Sequence, residues 1–290
     1  VDTLLDTLTR SQDAAELADN WARLAKHFDT LFTTEHSIDR LEETILQLAV
    51  MGRLVPQNLN DEPASKLLER IEGEKARLYK EGKIKRPKKL PEIEESEKSF
   101  KVPKGWQIVR LGEVINLVSG HHLKSDQYSK QALEGSLPYI TGPADFGEKN
   151  PIPSRYTCNS KAIAEPGDIL LTCKGSGVGS LNWAVETVAI SRQLMAIQGI
   201  CVDGRWLFYV LANLRQEIRG KVVGIAIPGI SREDILHALV MVPPLPEQKR
   251  IVERTDELMG LCDRLKASLN KAGETQIQLA ESIVNRAIEG

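Results

Sequence analysis

"GDILLTCKGSGVGSLNW", Gly167 to Trp183, decides between two kinds of fold. An apolar run leads into three glycines, Gly175, Gly177 and Gly179, that alternate with small residues, and Lys174 stands just before them. A loop of this composition that opened a helix would cradle a phosphate. The same loop between two strands would be a turn at the edge of a sheet. A phosphate-binding Walker loop carries its Lys and Ser/Thr after the final glycine; here Lys174 precedes Gly175, and Gly179 is followed by Ser180 and Leu181. A dinucleotide fingerprint spaces its glycines G-x-G-x-x-G at the start of a helix, whereas this chain has G-x-G-x-G and then "SLNWAVETVAI", which reads as a strand. The stretch therefore predicts strand, loop, strand, with glycines that permit positive φ or the close approach of another backbone. That leaves two roles for the loop: a structural turn, or a surface pressed against a ligand or a nucleic-acid backbone.

Outward from the loop, short apolar runs separated by Gly, Pro, Asn and Asp continue in both directions. "WQIVRLGEVINLVSG", "LPYIT", "WAVETVAIS", "LMAIQGICV" and "ALVMVPP" are further strand candidates. "GRWLFYVLANLRQEIRG" is one clear helix among them, with Gly220 as its stop. Residues 105–246 thus form a mixed α/β domain of roughly 140 residues, an ordinary domain size.

Both ends of the chain have helical spacing instead. Leu17, Trp21, Leu24, Phe28 and Leu31 lie three and four apart and make one apolar stripe. Ile38, Leu41, Ile45 and Leu48 make a second, with Ser37 as N-cap and Gly52 as stop. "NDEPASKLLERIEGEKARLYKEG" predicts a third helix, capped by Asn60 or Asp61 and ended by Gly82, which closes an N-terminal helical region over 1–82. Residues 83–104 are rich in Lys, Glu and Pro and read as a solvated connector, with contact to a DNA backbone as a second reading. From residue 247 to the end, Ile251, Thr255, Leu258, Cys262, Leu265, Leu269 and Ala272 alternate four and three apart, a heptad seam over three repeats. A helix over 247–288 would be roughly 60 Å long, more than a small domain can surround. Its seam must pack on the chain's own N-terminal helices or on a second protein.

Composition excludes several classes. The 290 residues are 41% apolar and 27% charged with a net charge of −2, ordinary for a globular chain and no argument for a polyanionic partner. Residues 104–246 hold 14 basic and 12 acidic side chains, too mild a bias to weigh alone. Cys158, Cys173, Cys201 and Cys262 contain no CxxC pair, which argues against a zinc knuckle and a disulfide framework and for a reducing cytosol. No apolar run reaches the ~18 residues of a membrane span, and the N-terminal residues lack the basic start and apolar middle of a signal peptide; a cytoplasmic location is expected. No metal site is expected either: His121 and His122 are the only histidine cluster, and adjacent strand residues point to opposite faces. The chain has no G-x-S-x-G elbow and no H-E-x-x-H. "EKNPIPS" lacks the aromatic residue of an amino-methyltransferase motif, and "PADFGEK" has the wrong acid–lysine spacing for a nuclease motif, so no catalytic residue is assigned.

Four stretches together resemble the specificity subunits of type I restriction–modification enzymes. "LEETILQLAVMGRLVPQNLNDEPASKLLERIEGEKARL" is similar to the helical region before a target-recognition domain, and "VPKGWQIVRLGEV" to the lead-in of that domain. "GDILLTCKGSGVGS" with "ISRQLMAI" is similar to its central strands, and "PLPEQKRIVERTDELMGLCDRLKASL" to the long helix after it. The resemblance implies a non-catalytic reader of double-stranded DNA. Its α/β target-recognition domain would be flanked by long antiparallel helices that form a coiled-coil-like rod. It further implies helices that dock modification (methyltransferase) subunits, which use S-adenosylmethionine to methylate adenine, and a restriction/translocase subunit in the full complex. No cofactor is implied for this chain. Members of the family carry two recognition domains, one for each half of a split target, whereas this chain has one. It is half of a longer subunit or a natural half-subunit, and the latter could form a homodimer through its rod to read a palindromic site.

Within the recognition domain, groups able to reach bases or phosphates stand beside the predicted turns. They are Ser119, His121, His122, Lys124 and Gln127; Tyr139 and Thr141; Lys174, Gly175, Ser176, Gly177, Ser180 and Asn182; Ser191, Arg192 and Gln193; and Ser231 and Arg232. Arg192 and Gln193 stand out because the resemblance to the family is strong there. The helix seam is assigned to Leu17, Trp21, Leu24, Phe28, Leu31, Ile251, Leu258, Cys262, Leu265 and Leu269. A coiled-coil adaptor whose α/β domain binds another protein is the alternative, and a nucleotide-dependent enzyme using the glycine loop is a third reading.

Overall fold

The computed structural model describes residues 1–11, 14–97, 102–148, 150–175, 177–220 and 229–289. The chain divides into two compact units, Val1–Pro56 with Arg250–Gly290, and Gln57–Lys249. The mixed α/β domain flanked by helices that the sequence predicts is the architecture observed.

The first unit is helical. It holds α1 (Asp2–Arg10), α2 (Ala14–Ala25), α3 (Phe28–Leu31), α4 (Glu35–Val50) and most of the last helix, described below. Leu5, Leu8, Leu17, Leu24, Phe32, Ile38, Leu41, Ile45 and Leu48 share one buried core with Leu258 and Cys262 of that last helix. Trp21, Phe28, Leu31, Leu265 and Leu269 pack at the core's margin, and Ile251 is itself buried. All the assigned seam residues except Ile251 thus share this core. Lys266 reinforces the packing with ion pairs to Asp39 at 2.7 Å and Glu42 at 2.8 Å. Burial pushes the Cys262 thiol up to about 12, so it is a neutral core group.

Three local expectations are corrected here. The stripe from Leu17 to Leu31 is not one helix: it breaks at His27, between α2 and α3. The N-cap of α4 is Thr34 and not Ser37; Ser37 is the third helical residue and exchanges two hydrogen bonds with Thr34 in a capping box. Neither Asn60 nor Asp61 caps the next helix, which begins after Pro63. Gly52 and Gly82 do sit just past helix ends, with φ +69° and +70°, where glycine carries no Cβ penalty.

The second unit begins with that helix, α5 (Ala64–Lys80), followed by β1 (Gln107–Arg110), α6 (Leu111–Val114), β2 (Ile115–Ser119) and β3 (Leu137–Ile140). Next come β4 (Tyr156–Thr157), β5 (Ile163–Ala164), β6 (Ile169–Thr172), β7 (Leu181–Trp183), β8 (Val188–Ile190) and β9 (Leu194–Gly199). The unit ends with α7 (Gly204–Gly220), α8 (Arg232–Leu236), β10 (Leu239–Val242) and the first turn of α9 (Leu245–Glu289). One sheet has the order β2-β9-β6-β7 and another the order β4-β3-β8-β5, while β1 and β10 pair alone. Neighbours are antiparallel except β3 and β8, which run parallel with Tyr139 opposite Ala189. Ile140, Ala164, Val188 and Ile190 of one sheet meet Leu170, Leu194 and Ala196 of the other in a single core. Trp183 stacks on Phe208 with ring centroids 5.2 Å apart, which fixes α7 on β7.

The unit boundary lies at Pro56, ahead of the expected division at residue 82, because α5 is tied to the sheet domain. Ala64 N–H donates to the Gly105 carbonyl at 2.8 Å, and Lys75 Nζ to the Gly112 carbonyl at 2.6 Å. The charged connector is also docked, although most of its described side chains are exposed. The buried Arg110 guanidinium donates to the carbonyls of Pro91, Glu92 and His237 and pairs with Glu97 at 2.7 Å. Pro246 falls in the first turn of α9, where its missing N–H costs nothing. Gln248 anchors that turn: its amide donates to the Pro243 carbonyl at 3.0 Å and its carbonyl accepts from Asp203 N–H at 2.8 Å.

Candidate nucleic-acid interface

Four segments far apart in sequence meet at one rim of the sheets, and backbone hydrogen bonds bring them there. β2 ends at Ser119, after which Gly120 N–H donates to Leu194 O and His121 N–H to Ile190 O, both at 2.9 Å. A Cβ at Gly120 would overlap the Ser191 carbonyl, so the two backbones can approach this closely only through glycine. The 119–122 stretch therefore lies against the Ser191–Gln193 turn that joins β8 to β9. In the same way Gln193 O accepts from Cys173 N–H at 2.7 Å, which adds the glycine loop, and Cys173 O accepts from Ile230 N–H at 2.9 Å, which adds the start of α8.

The glycine loop joins two antiparallel strands, β6 and β7, whose pairing places Leu171 opposite Leu181. Thr172 N–H donates to Ser180 O at 2.9 Å and Gly179 N–H to Thr172 O at 2.8 Å. Gly175 and Gly179 have φ of +92° and +84°, the conformation that excludes a side chain. Gly177 lies against Pro143, and a Cβ at Gly179 would stand 2.7 Å from Arg215 Cγ. Among the described residues of the loop, no helix starts to point its N–H groups at a phosphate. The run "SLNWAVETVAI" forms two strands and not one: β7 belongs to the first sheet and β8 to the second.

The candidates separate by exposure. Ser119, His121, His122, Lys124, Lys174, Gly175, Arg192, Gln193 and Ser231 are exposed; Gln127, Thr141, Gly177, Ser180 and Arg232 are half-buried. Ser176 lies outside the described residues. Tyr139, Asn182 and Ser191 are buried, and their polar atoms are committed inside the unit. The Tyr139 hydroxyl accepts from Leu123 N–H at 3.3 Å and donates to His121 O at 3.2 Å. Burial pushes that hydroxyl's pKa up, against the pull of the Leu123 N–H and of Arg155 and Arg192. Asn182 donates to Gly147 O at 3.0 Å and Ser191 Oγ to Thr141 O at 2.5 Å. Thr141 is held in turn by Asp145, whose buried carboxylate accepts from Thr141 N–H at 2.7 Å, Thr141 Oγ1 at 2.6 Å and Ser154 Oγ at 2.7 Å. These residues shape the rim; the exposed set is what a ligand would meet. Two members of the outer set also have local duties. Ser231 caps α8 by accepting from Asp234 N–H at 3.0 Å, and Arg232 donates to Leu117 O at 2.8 Å.

Some cations of the chain are paired and others are not. Arg40, Arg70, Arg77, Arg110, Arg254 and Lys266 all sit in ion pairs with carboxylates. Among the described residues, Lys124, Lys174 and Arg192 make none. Sequence reasoning missed two more cations of this region. Arg155 lies with its guanidinium 5.1 Å from the Tyr128 ring centroid, and Arg215 of α7 packs its stem over Gly179. "SRY" within a run of turn residues was the available signal for Arg155; Arg215 stands in an amphipathic helix and carried none.

Loops from both sheets thus present Lys174 and Arg192 without carboxylate partners among the described residues, around turns that need glycine. The chain belongs to the family described as type I restriction modification DNA specificity domain, whose model matches residues 103–272. Two Escherichia coli proteins are similar over 99% of this chain and 51% of their own length: the type I restriction enzyme EcoAI specificity subunit at 38% identity, and the EcoEI specificity subunit at 37%. The chain thus spans about half the length of the curated relatives it matches. Among solved structures, the HsdS subunit from Thermoanaerobacter tengcongensis is similar over 78% of this chain and 56% of its own, at 26% identity and a TM-score of 0.55. A chain from a structure on complex assembly and conformational transition of the type I R-M system is similar over 77% of this chain and 56% of its own, at 26% identity and a TM-score of 0.59.

Proposed function

We propose that this chain recognises double-stranded DNA for a type I restriction–modification complex, reading one half of a bipartite target. The observation that carries the reading is the convergence of the loops bearing Lys174, Arg192 and Gln193 at one glycine-shaped rim, in a chain of the specificity family. Exposed Arg and Gln side chains on short, braced turns can enter a groove and pair with guanine and adenine edges, while lysines anchor the phosphates. The chain itself neither methylates nor cuts. Its helices dock modification subunits that carry S-adenosylmethionine, and the assembly takes up a restriction/translocase subunit in the cytoplasm, where the DNA is. A natural half-subunit would pair with a second copy to complete a palindromic target. The uncovered apolar side chains Ile277, Leu279, Ile283 and Val284 of α9 support a docking role for that helix.

Selection from a random duplex pool by the full chain assembled with its modification subunit tests the reading. One enriched motif, bound with an affinity that falls linearly in log–log fashion with salt, is the expected result. Binding without enrichment, or enrichment that ignores salt, would leave the protein-adaptor reading as the better one.

A further inference from the structure

Arg155 is a half-buried cation whose backbone is braced on both sides. Its carbonyl accepts from Tyr139 N–H at 2.8 Å. On one side of it, Ser154 Oγ donates to the buried Asp145 carboxylate at 2.7 Å. On the other, Tyr156 and Ser129 exchange a pair of backbone hydrogen bonds at 2.8 and 2.9 Å. The half-buried guanidinium then lies over the ring of Tyr128, which itself packs on Tyr139 with centroids 5.8 Å apart. Among the described residues Arg155 has no ion pair. A guanidinium stacked on an aromatic face keeps its edge N–H groups free and loses little entropy when they bind.

We propose that Arg155, braced on Tyr128, is a phosphate anchor that fixes how the duplex lies on the rim. The inference rests on the DNA-recognition reading above and adds a residue and a role to it. A phosphate is favoured over a base because Arg155 is half-buried with its guanidinium over the Tyr128 ring, whereas Arg192 stands exposed on a turn and can reach outward. Arg155 thus sets register, and base choice stays with the turns.

The test compares R155A, R155K, Y128A and R192A in the full chain assembled with its modification subunit, by duplex binding across a salt series. Circular dichroism and thermal melting confirm folding. For R155A, affinity falls about tenfold for motif-bearing and random duplexes alike, and the log–log salt slope shrinks by about 1. R155K keeps the slope but loses part of the affinity, and Y128A lowers affinity less than R155A. Wild-type affinity and slope in R155A, with binding impaired in R192A, would overturn the proposal and leave the DNA reading standing. Relaxed choice at one target position in R155A would overturn it too, by making Arg155 a base reader. Failure of the wild-type assembly to bind any duplex would remove the parent reading together with this one.

Discussion

Tyr139 shows what the rim demands of single residues. Its hydroxyl bridges Leu123 N–H and His121 O, so it shapes the loop that presents His121 and His122 without reaching solvent. Y139F should therefore cost about 1–2 kcal/mol of stability in urea denaturation, the worth of a buried bridging hydroxyl, while the selected DNA motif stays the same. A changed motif would mean that the hydroxyl touches a base. The sequence made the types of groups at the rim legible, because Lys174, Arg192 and Gln193 stand next to turn glycines or strand ends. It did not tell the outward from the inward ones. Asn182 and Ser191 carry the same polar signal as Gln193, and they point inward because Gly147 O and Thr141 O, brought from distant loops, accept their hydrogens. Burial of a short polar side chain is settled by distant partners, which no local pattern records.

Elements were legible where a period ran long. The seam from Ile251 to Leu269 gives one helix, and the apolar stripes at 17–31 and 38–48 meet it in one core. Strands as short as three residues are another matter: β7 and β8 read as one strand, since nothing in "SLNWAVETVAI" marks the change of sheet. The place of α5 was hidden as well, because its ties to the sheet domain, through Ala64 and Lys75, run to partners far along the chain. Lys75 reaches the Gly112 carbonyl at 2.6 Å, and burial lowers its pKa to about 8, against a smaller upward pull from Glu113. Below pH 8 both folded and unfolded chains carry the proton, and the folded one bears the cost of a half-buried charge. Between about 8 and the ordinary value of 10.5, only the unfolded chain still holds it, so rising pH favours the folded state. Denaturation of wild type and K75M across this range should show the wild type gaining relative to the variant, by up to about 3 kcal/mol. Parallel curves would mean that the lysine is solvated and α5 is held otherwise.

At the scale of the whole molecule, the chain combines one recognition unit with a long helix that its own core covers only as far as Leu269. By the usual rise per residue, α9 is roughly 67 Å long, and Ile277, Leu279, Ile283 and Val284 remain more than half exposed near its end. Among the described residues no helix is long and apolar enough to cross a membrane. The two Escherichia coli relatives are about twice as long as this chain. Central to the account is that the loops of this chain choose the sequence and its partners do the chemistry. Mapping modified adenines in DNA from cells that express the chain with its modification subunit tests that division most directly, in wild type and after exchange of residues 191–193 and the glycine loop for those of a relative. The account predicts one fixed motif whose recognised half changes with the exchange, symmetric if two copies act together. Adenines modified at scattered sites, or a motif indifferent to the exchange, would contradict it.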